Sequence, residues 1–184
     1  RAAEEALGPR CRGSNRVVLV TLGYSVEDIL SDHLLGAIQA TPSWLWLLRL
    51  HPINRGERAL SELRCKISEA GIANVEFDHA TRQPLYSVLA RSDVHVTGFS
   101  TTVREALTFG VPSVVAHPIG RTYFADEIEQ GLFEYADTRD GLITALDRLA
   151  QGARTSEQGP RFIETDDSLV DRALARIHEP TGPA

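Results

Sequence analysis

Residues 93–118 read DVHVTGFSTTVREALTFGVPSVVAHP. The β-branched apolar run at 93–98 predicts a strand, and the run at 112–117 predicts a second one. Between them a glycine and a cluster of hydroxyls open a segment of helical period over 101–109, which Gly110 and Pro112 can stop. This is one strand–helix–strand unit, and such units imply parallel strands joined by a right-handed crossover.

The alternation continues in both directions. Further strands are predicted at RVVLVTL (16–22), WLWLLRL (44–50) and NVEF (74–77), with a weaker one at LFEYA (132–136). Helices are predicted at about 26–40, 56–70, 84–91, 123–130 and 139–150. Ser25 with Asp28 can start the first of these, and Gly71 can end the second. Several strands are apolar on successive residues, as strands covered on both faces must be. The expected fold class is α/β: a single domain with an open parallel sheet of about six strands and helices on both faces. Its boundaries are read as a tail or interdomain linker at 1–15, the sheet domain at 16–151, a polar linker at 152–161, and a last helix and tail at 162–184.

Composition narrows the function. The chain has 184 residues, 42% of them apolar and 24% charged, as in ordinary globular domains. A net charge of −6 argues against a nucleic-acid partner, which requires a concentrated basic face. The apolar runs are far shorter than the roughly 20 residues that cross a bilayer, so no transmembrane segment is expected. Cys11 and Cys65 read as free thiols of a reducing compartment. The Arg1 start and the lack of methionine suggest a processed product or a piece of a longer chain.

Ligands of open parallel sheets bind at the carboxyl ends of the strands, where the strand order reverses. The segments at those ends, GYS (23–25), HPINRG (51–56), DHATRQP (78–84), FSTT (99–102) and PIGRTYF (118–124), hold much of the Gly, His, Ser, Thr and Pro. The opposite connections, ATPS, AGIA and ARSD, are plainer. With strand order 3-2-1-4-5-6, the turn at Gly23, Tyr24 and Ser25 faces the turn at Gly98, Ser100, Thr101 and Thr102. Gly98 allows close approach of the backbone, and the hydroxyls and helix-start N–H groups suit a phosphate.

Glu105 has two readings. Thr102-x-x-Glu105 has the spacing of a capping box, in which the carboxylate returns to the cap backbone. If the helix starts at Ser100, Glu105 lies one turn inside and can accept from two neighbouring hydroxyls, such as those of a ribose. His51, held at the strand end by Pro52, can donate to a phosphate oxygen. His79 and His117 also follow strands, but without metal-ligand spacing, so no metal is expected. Arg121 and Tyr123 could meet an anion or a sugar, although surface roles suit them as well. No G-x-S-x-G elbow, P-loop or G-x-G-x-x-G is present.

The 93–118 stretch resembles the signature part of the C-terminal, donor-binding, Rossmann-like domain of GT-B glycosyltransferases: a strand, a G-x-S-T turn, a helix carrying EA, then G-x-P and a strand. The resemblance extends from VLVTLG (18–23) through RLHP to about residue 150. It implies phosphate binding by Gly98 to Thr102, ribose binding by Glu105, and a base bordered by Phe77, Asp78 and His79. The HP pair is also similar to that of bacterial transferases using CMP- or CDP-linked donors, where the histidine matching His51 contacts phosphate, and to that of UDP-GlcNAc 2-epimerases.

The implied ligand is a UDP-, CMP- or GDP-linked sugar, bound without a cofactor or metal. The implied reaction is glycosyl transfer to a polysaccharide, lipid or natural-product acceptor. The acceptor domain and the usual catalytic base belong to an N-terminal domain for which this chain has no room. It is therefore expected to need a missing domain or a partner chain and to be inactive alone. A nucleotide-sugar epimerase or hydrolase half and a non-catalytic interaction module are the alternatives. A cytoplasmic setting is expected, the inner membrane surface being one option.

Overall fold

A computed structural model describes residues 10–23, 30–54 and 56–155. Six strands form one sheet: β1 (Arg16–Thr21), β2 (Trp44–Arg49), β3 (Val75–Glu76), β4 (Val94–Thr97), β5 (Ser113–Val115) and β6 (Glu134–Tyr135). Their order is β3-β2-β1-β4-β5-β6, and every pair is parallel. The chain is thus an open, Rossmann-like α/β sheet with its reversal between β1 and β4. There Thr21 lies opposite Thr97, so the turns leaving the two strands emerge side by side.

Because side chains alternate along a strand, the sheet supports two layers. Val18 and Val20 of β1, Trp46 and Leu48 of β2, Val94 and Val96 of β4, and Val114 of β5 face one way. They pack on α1 (Asp32–Ala40), α2 (Glu57–Glu69) and α8 (Arg139–Thr155). The opposite face carries Val17, Leu19, Leu45 and Leu47 against α3 (Asp78–Arg82), α4 (Leu85–Leu89) and α5 (Thr102–Thr108). A smaller cluster of Val103, Val115, Phe124 and Phe133 anchors α6 (Pro118–Tyr123) and α7 (Ala125–Glu129). Trp46 is fully buried, and its indole N–H reaches Thr41 Oγ1 at 3.0 Å, so its one polar atom is satisfied.

Several expected boundaries change. The first helix does not run unbroken over 26–40: residues 30 and 31 are non-helical and α1 begins at Asp32, while the expected start at Ser25 and Asp28 lies outside the described residues. Segments 78–84 and 118–124, read as connections, each contain a short helix, α3 and α6. The helix expected at 123–130 is interrupted at Phe124, whose ring is fully buried and takes it out of helical geometry. The helix expected at 139–150 continues to Thr155, into the stretch read as a linker from 152, and the helix expected in 162–184 lies outside the described residues. Gly71 and Gly110 do terminate helices, at φ of 64° and 69°, and Gly131 does the same after α7 at φ 72°.

Candidate functional site

Two adjoining cavities open at the carboxyl ends of β1, β2 and β4. One, of about 290 Å³, is lined by Gly23, His51, Thr97, Gly98, Phe99, Ser100, Thr101, Ile119 and Tyr123. The other, of about 260 Å³, is lined by Thr21, Leu22, Arg49, Leu50, His51, Pro52, Leu85, Ser100, Thr101, Thr102 and Glu105. His51, Ser100 and Thr101 belong to both. They form a seam between a Gly98 cavity and a Glu105 cavity.

The fold gathers Gly23, His51, Gly98, Ser100, Thr101, Thr102 and Glu105 at this edge. Tyr24 and Ser25 lie outside the described residues. Phe77, Asp78 and His79 line neither cavity: the Arg64 guanidinium stands 5.5 Å over the Phe77 ring and pairs with Asp78 at 3.3 Å. The buried carboxylate of Glu76 accepts the backbone N–H groups of His79 and Ala80 at 2.7 and 2.9 Å, so these donors are already engaged in starting α3. Leu85 and Arg49 occupy the cavity wall on that side. Arg49 is buried and binds the Ala80 and Gln83 carbonyls, which fixes the α3 turn beneath the cavity.

The Gly98–Thr102 turn is held from inside the sheet. Thr97 Oγ1 accepts the Ser100 N–H at 3.2 Å and donates to the Thr21 carbonyl at 3.3 Å. Ser100 Oγ is 2.9 Å from Thr102 Oγ1 and accepts the Thr102 N–H at 3.3 Å. Ser100 therefore takes up the Thr102 N–H just ahead of the Thr101 N-cap, and the Thr102–Glu105 capping box is not formed. Glu105 instead lines the cavity, with Oε2 buried and without a hydrogen-bond partner among the described residues. A buried, unmatched carboxylate oxygen is costly unless something else donates to it.

Two histidines share one local device. In His51-Pro52-Ile53 and His117-Pro118-Ile119 the proline has no N–H, and the isoleucine N–H donates back to the imidazole Nδ1, at 3.3 and 3.1 Å. With Nδ1 accepting, the neutral ring carries its proton on Nε2 and is a donor there. His51 stands on the seam. His117 caps α6 and meets Phe99 edge-on, with ring centroids 6.0 Å apart.

Sequence reasoning missed a fourth histidine. His95 is fully buried in β4, with Nε2 at 2.8 Å from Thr21 Oγ1 and Nδ1 at 3.0 Å from Ser113 Oγ. Burial lowers its pKa to about 3, so the ring is neutral. A histidine between two valines, in register with Ser113 on the neighbouring strand, was the available signal. Among the described residues no three His, Cys, Asp or Glu side chains gather as a metal site. Likewise, no described helix is long and apolar enough to cross a membrane.

No protein-family model and no curated protein matches the chain. Solved structures do. UDP-GlcNAc 2-epimerase from Neisseria meningitidis, bound to UDP-GlcNAc, is 13% identical with a TM-score of 0.64, the match covering 95% of this chain and 48% of that one. The glycosyltransferase of kitacinnamycin is 25% identical with a TM-score of 0.55, over 88% and 44%. The C-terminal CMP-Kdo binding domain of WaaA from Acinetobacter baumannii is 14% identical with a TM-score of 0.57, over 97% of both chains. This chain therefore has the fold of the C-terminal, donor-binding domain of GT-B proteins. It spans about half the length of the epimerase and of the kitacinnamycin transferase.

Proposed function

We propose that the chain is the nucleotide-sugar-binding half of a glycosyltransferase, one that delivers a glycosyl group to a polysaccharide, lipid or natural-product acceptor held by another domain or chain. The observation that carries this reading is Glu105: one carboxylate oxygen is buried and, among the described residues, unmatched in a cavity sharing a seam of hydroxyls and an imidazole with a second cavity. A ribose would supply the missing donors, and its phosphates would extend along the seam. The Nε2–H of His51 and the hydroxyls of Ser100 and Thr101 would take up charge on the departing phosphate, without a metal.

Calorimetric titration with UDP, GDP, CMP and dTDP tests the reading. Glu105→Gln should weaken binding of the preferred nucleotide about tenfold or more while leaving thermal stability nearly unchanged, the value of a hydrogen bond to a charged group being about 1.5–3 kcal/mol. A variant that lost stability and kept its affinity would assign Glu105 to the fold instead. Chelation by EDTA should leave binding unaltered. The likeness to UDP-GlcNAc 2-epimerases supports a second reading, a nucleotide-sugar epimerase or hydrolase half. Release of UDP from UDP-GlcNAc without any acceptor, once the missing half is supplied, would favour it.

A further inference from the structure

A buried hydrogen-bond chain crosses the sheet, closed at one end and open to the Glu105 cavity at the other. In register, His95 of β4 lies beside Leu19 of β1 and Ser113 of β5, and Thr21 lies two residues beyond Leu19. All four share the face that packs on α5, the helix carrying Glu105. His95 Nδ1 is 3.0 Å from Ser113 Oγ, and Nε2 is 2.8 Å from Thr21 Oγ1. Thr21 lines the Glu105 cavity, whereas Ser113 lines neither cavity.

The closed end sets the direction of the chain. Burial keeps the imidazole neutral, so it has one N–H and one bare nitrogen. Ser113 is buried, and among the described residues its hydroxyl bonds to His95 alone. With the ring proton on Nδ1, Ser113 Oγ would accept it and the Ser113 O–H would be buried without an acceptor, which is costly. With Ser113 donating to Nδ1, the ring proton sits on Nε2 and is donated to Thr21 Oγ1. The Thr21 O–H is then left for another acceptor, and the space that Thr21 lines is the Glu105 cavity.

Resting on the nucleotide-binding reading of this site, we propose that Ser113, His95 and Thr21 form a one-way chain of donors whose last hydroxyl, that of Thr21, donates to a ribose hydroxyl that itself donates to Glu105. A hydroxyl both gives and accepts a hydrogen bond, so it fits between a donor and a carboxylate of one cavity, whereas a carbonyl or an amide N–H satisfies only one of them. Thr21 is thus a binding residue, and His95 is a positioning residue that acts through it.

The test has two arms, both on the full chain. Nitrogen NMR, with the His95 signals assigned by their loss in His95→Gln, locates the ring proton. A proton on Nε2 is expected, and one on Nδ1 overturns the proposal. In the second arm UDP, GDP, CMP and dTDP are titrated, and the nucleotide that binds is compared with its 2′-deoxy and 3′-deoxy forms, dTDP with its 3′-deoxy form alone. Thr21→Val, which keeps the shape and removes the hydroxyl, should weaken binding of the parent nucleotide about tenfold, and Thr21→Ser should restore it. Against the form that lacks the contacted hydroxyl, Thr21→Val should cost nothing. Undiminished affinity in Thr21→Val, or the same loss against every deoxy form, overturns the proposal and leaves the nucleotide reading standing. Failure of every nucleotide to bind overturns both. If melting curves show that Thr21→Val does not fold, Thr21→Ala takes its place under the same expectations.

Discussion

The two faces of β4 are built for different ends. Val94 and Val96 join a layer of valine, leucine and tryptophan closed by the longer helices α1, α2 and α8. His95 and Thr97, on the other face, meet Thr21 and Ser113 through hydroxyls and an imidazole, and Thr97 hands that strip on to Ser100 at the cavity edge. The apolar face contributes stability by area alone and is indifferent to pH. Across the polar face, geometry at the cavity edge is tied to hydrogen bonds inside the sheet.

That contrast can be broken from either side. The largest effect should come from Trp46→Ala in the apolar layer, which is expected to cost about 3–5 kcal/mol in urea unfolding, with the same loss at pH 7 and pH 5. A loss that varied strongly with pH would tie the two faces together.

Gly120→Ala comes next. Its Cβ would meet the Gly98 carbonyl oxygen at 1.9 Å and Val115 Cγ1 at 2.6 Å, so backbone must move, at about 1–3 kcal/mol. Nucleotide-sugar affinity should fall with it, since α6 and the Gly98 turn separate. Unchanged melting would show that the two backbones are not in this contact.

At pH 7 the smallest effect belongs to the titration of His95, which grows only on acidification. Its native pKa, about 3, lies below that of the unfolded chain, which therefore takes up a proton that the native protein refuses. The stability due to the neutral ring is complete above about pH 6.5 and drains as pH falls toward 3, at up to about 1.4 kcal/mol per pH unit. Unfolding of His95→Gln between pH 7 and 4 should have a slope shallower by that amount. Equal slopes in the two proteins would mean that the native ring accepts the proton.

The strand order was legible because β1, β2 and β4 are apolar runs that cannot be exposed, and the carboxyl-end rule then pointed to the edge where the two cavities open. What escaped reading was local. His-Pro-Ile-Gly at 117–120 looks like a loop, because proline and glycine usually break helices; here Pro118 starts one and Gly120 is required by its contact with Gly98. Thr102-x-x-Glu105 satisfies a capping pattern, yet Ser100 reaches the Thr102 N–H first and leaves Glu105 to the cavity. The lining from Thr21, Arg49, Leu85 and Ile119 depends on which turns converge in space, which spacing along the chain does not encode.

The cavity walls are assembled from short pieces: α4, α5 and α6 span five to seven residues each, whereas α2 and α8 span 13 and 17. A helix of one or two turns does not persist without its neighbours. Such segments are transplantable: residues 117–124 could be exchanged for the equivalent stretch of another chain of this fold, provided glycine is kept at 120. The buried layer on the far side of the sheet would not register the change, and the wall of the Gly98 cavity could be rewritten by grafting eight residues.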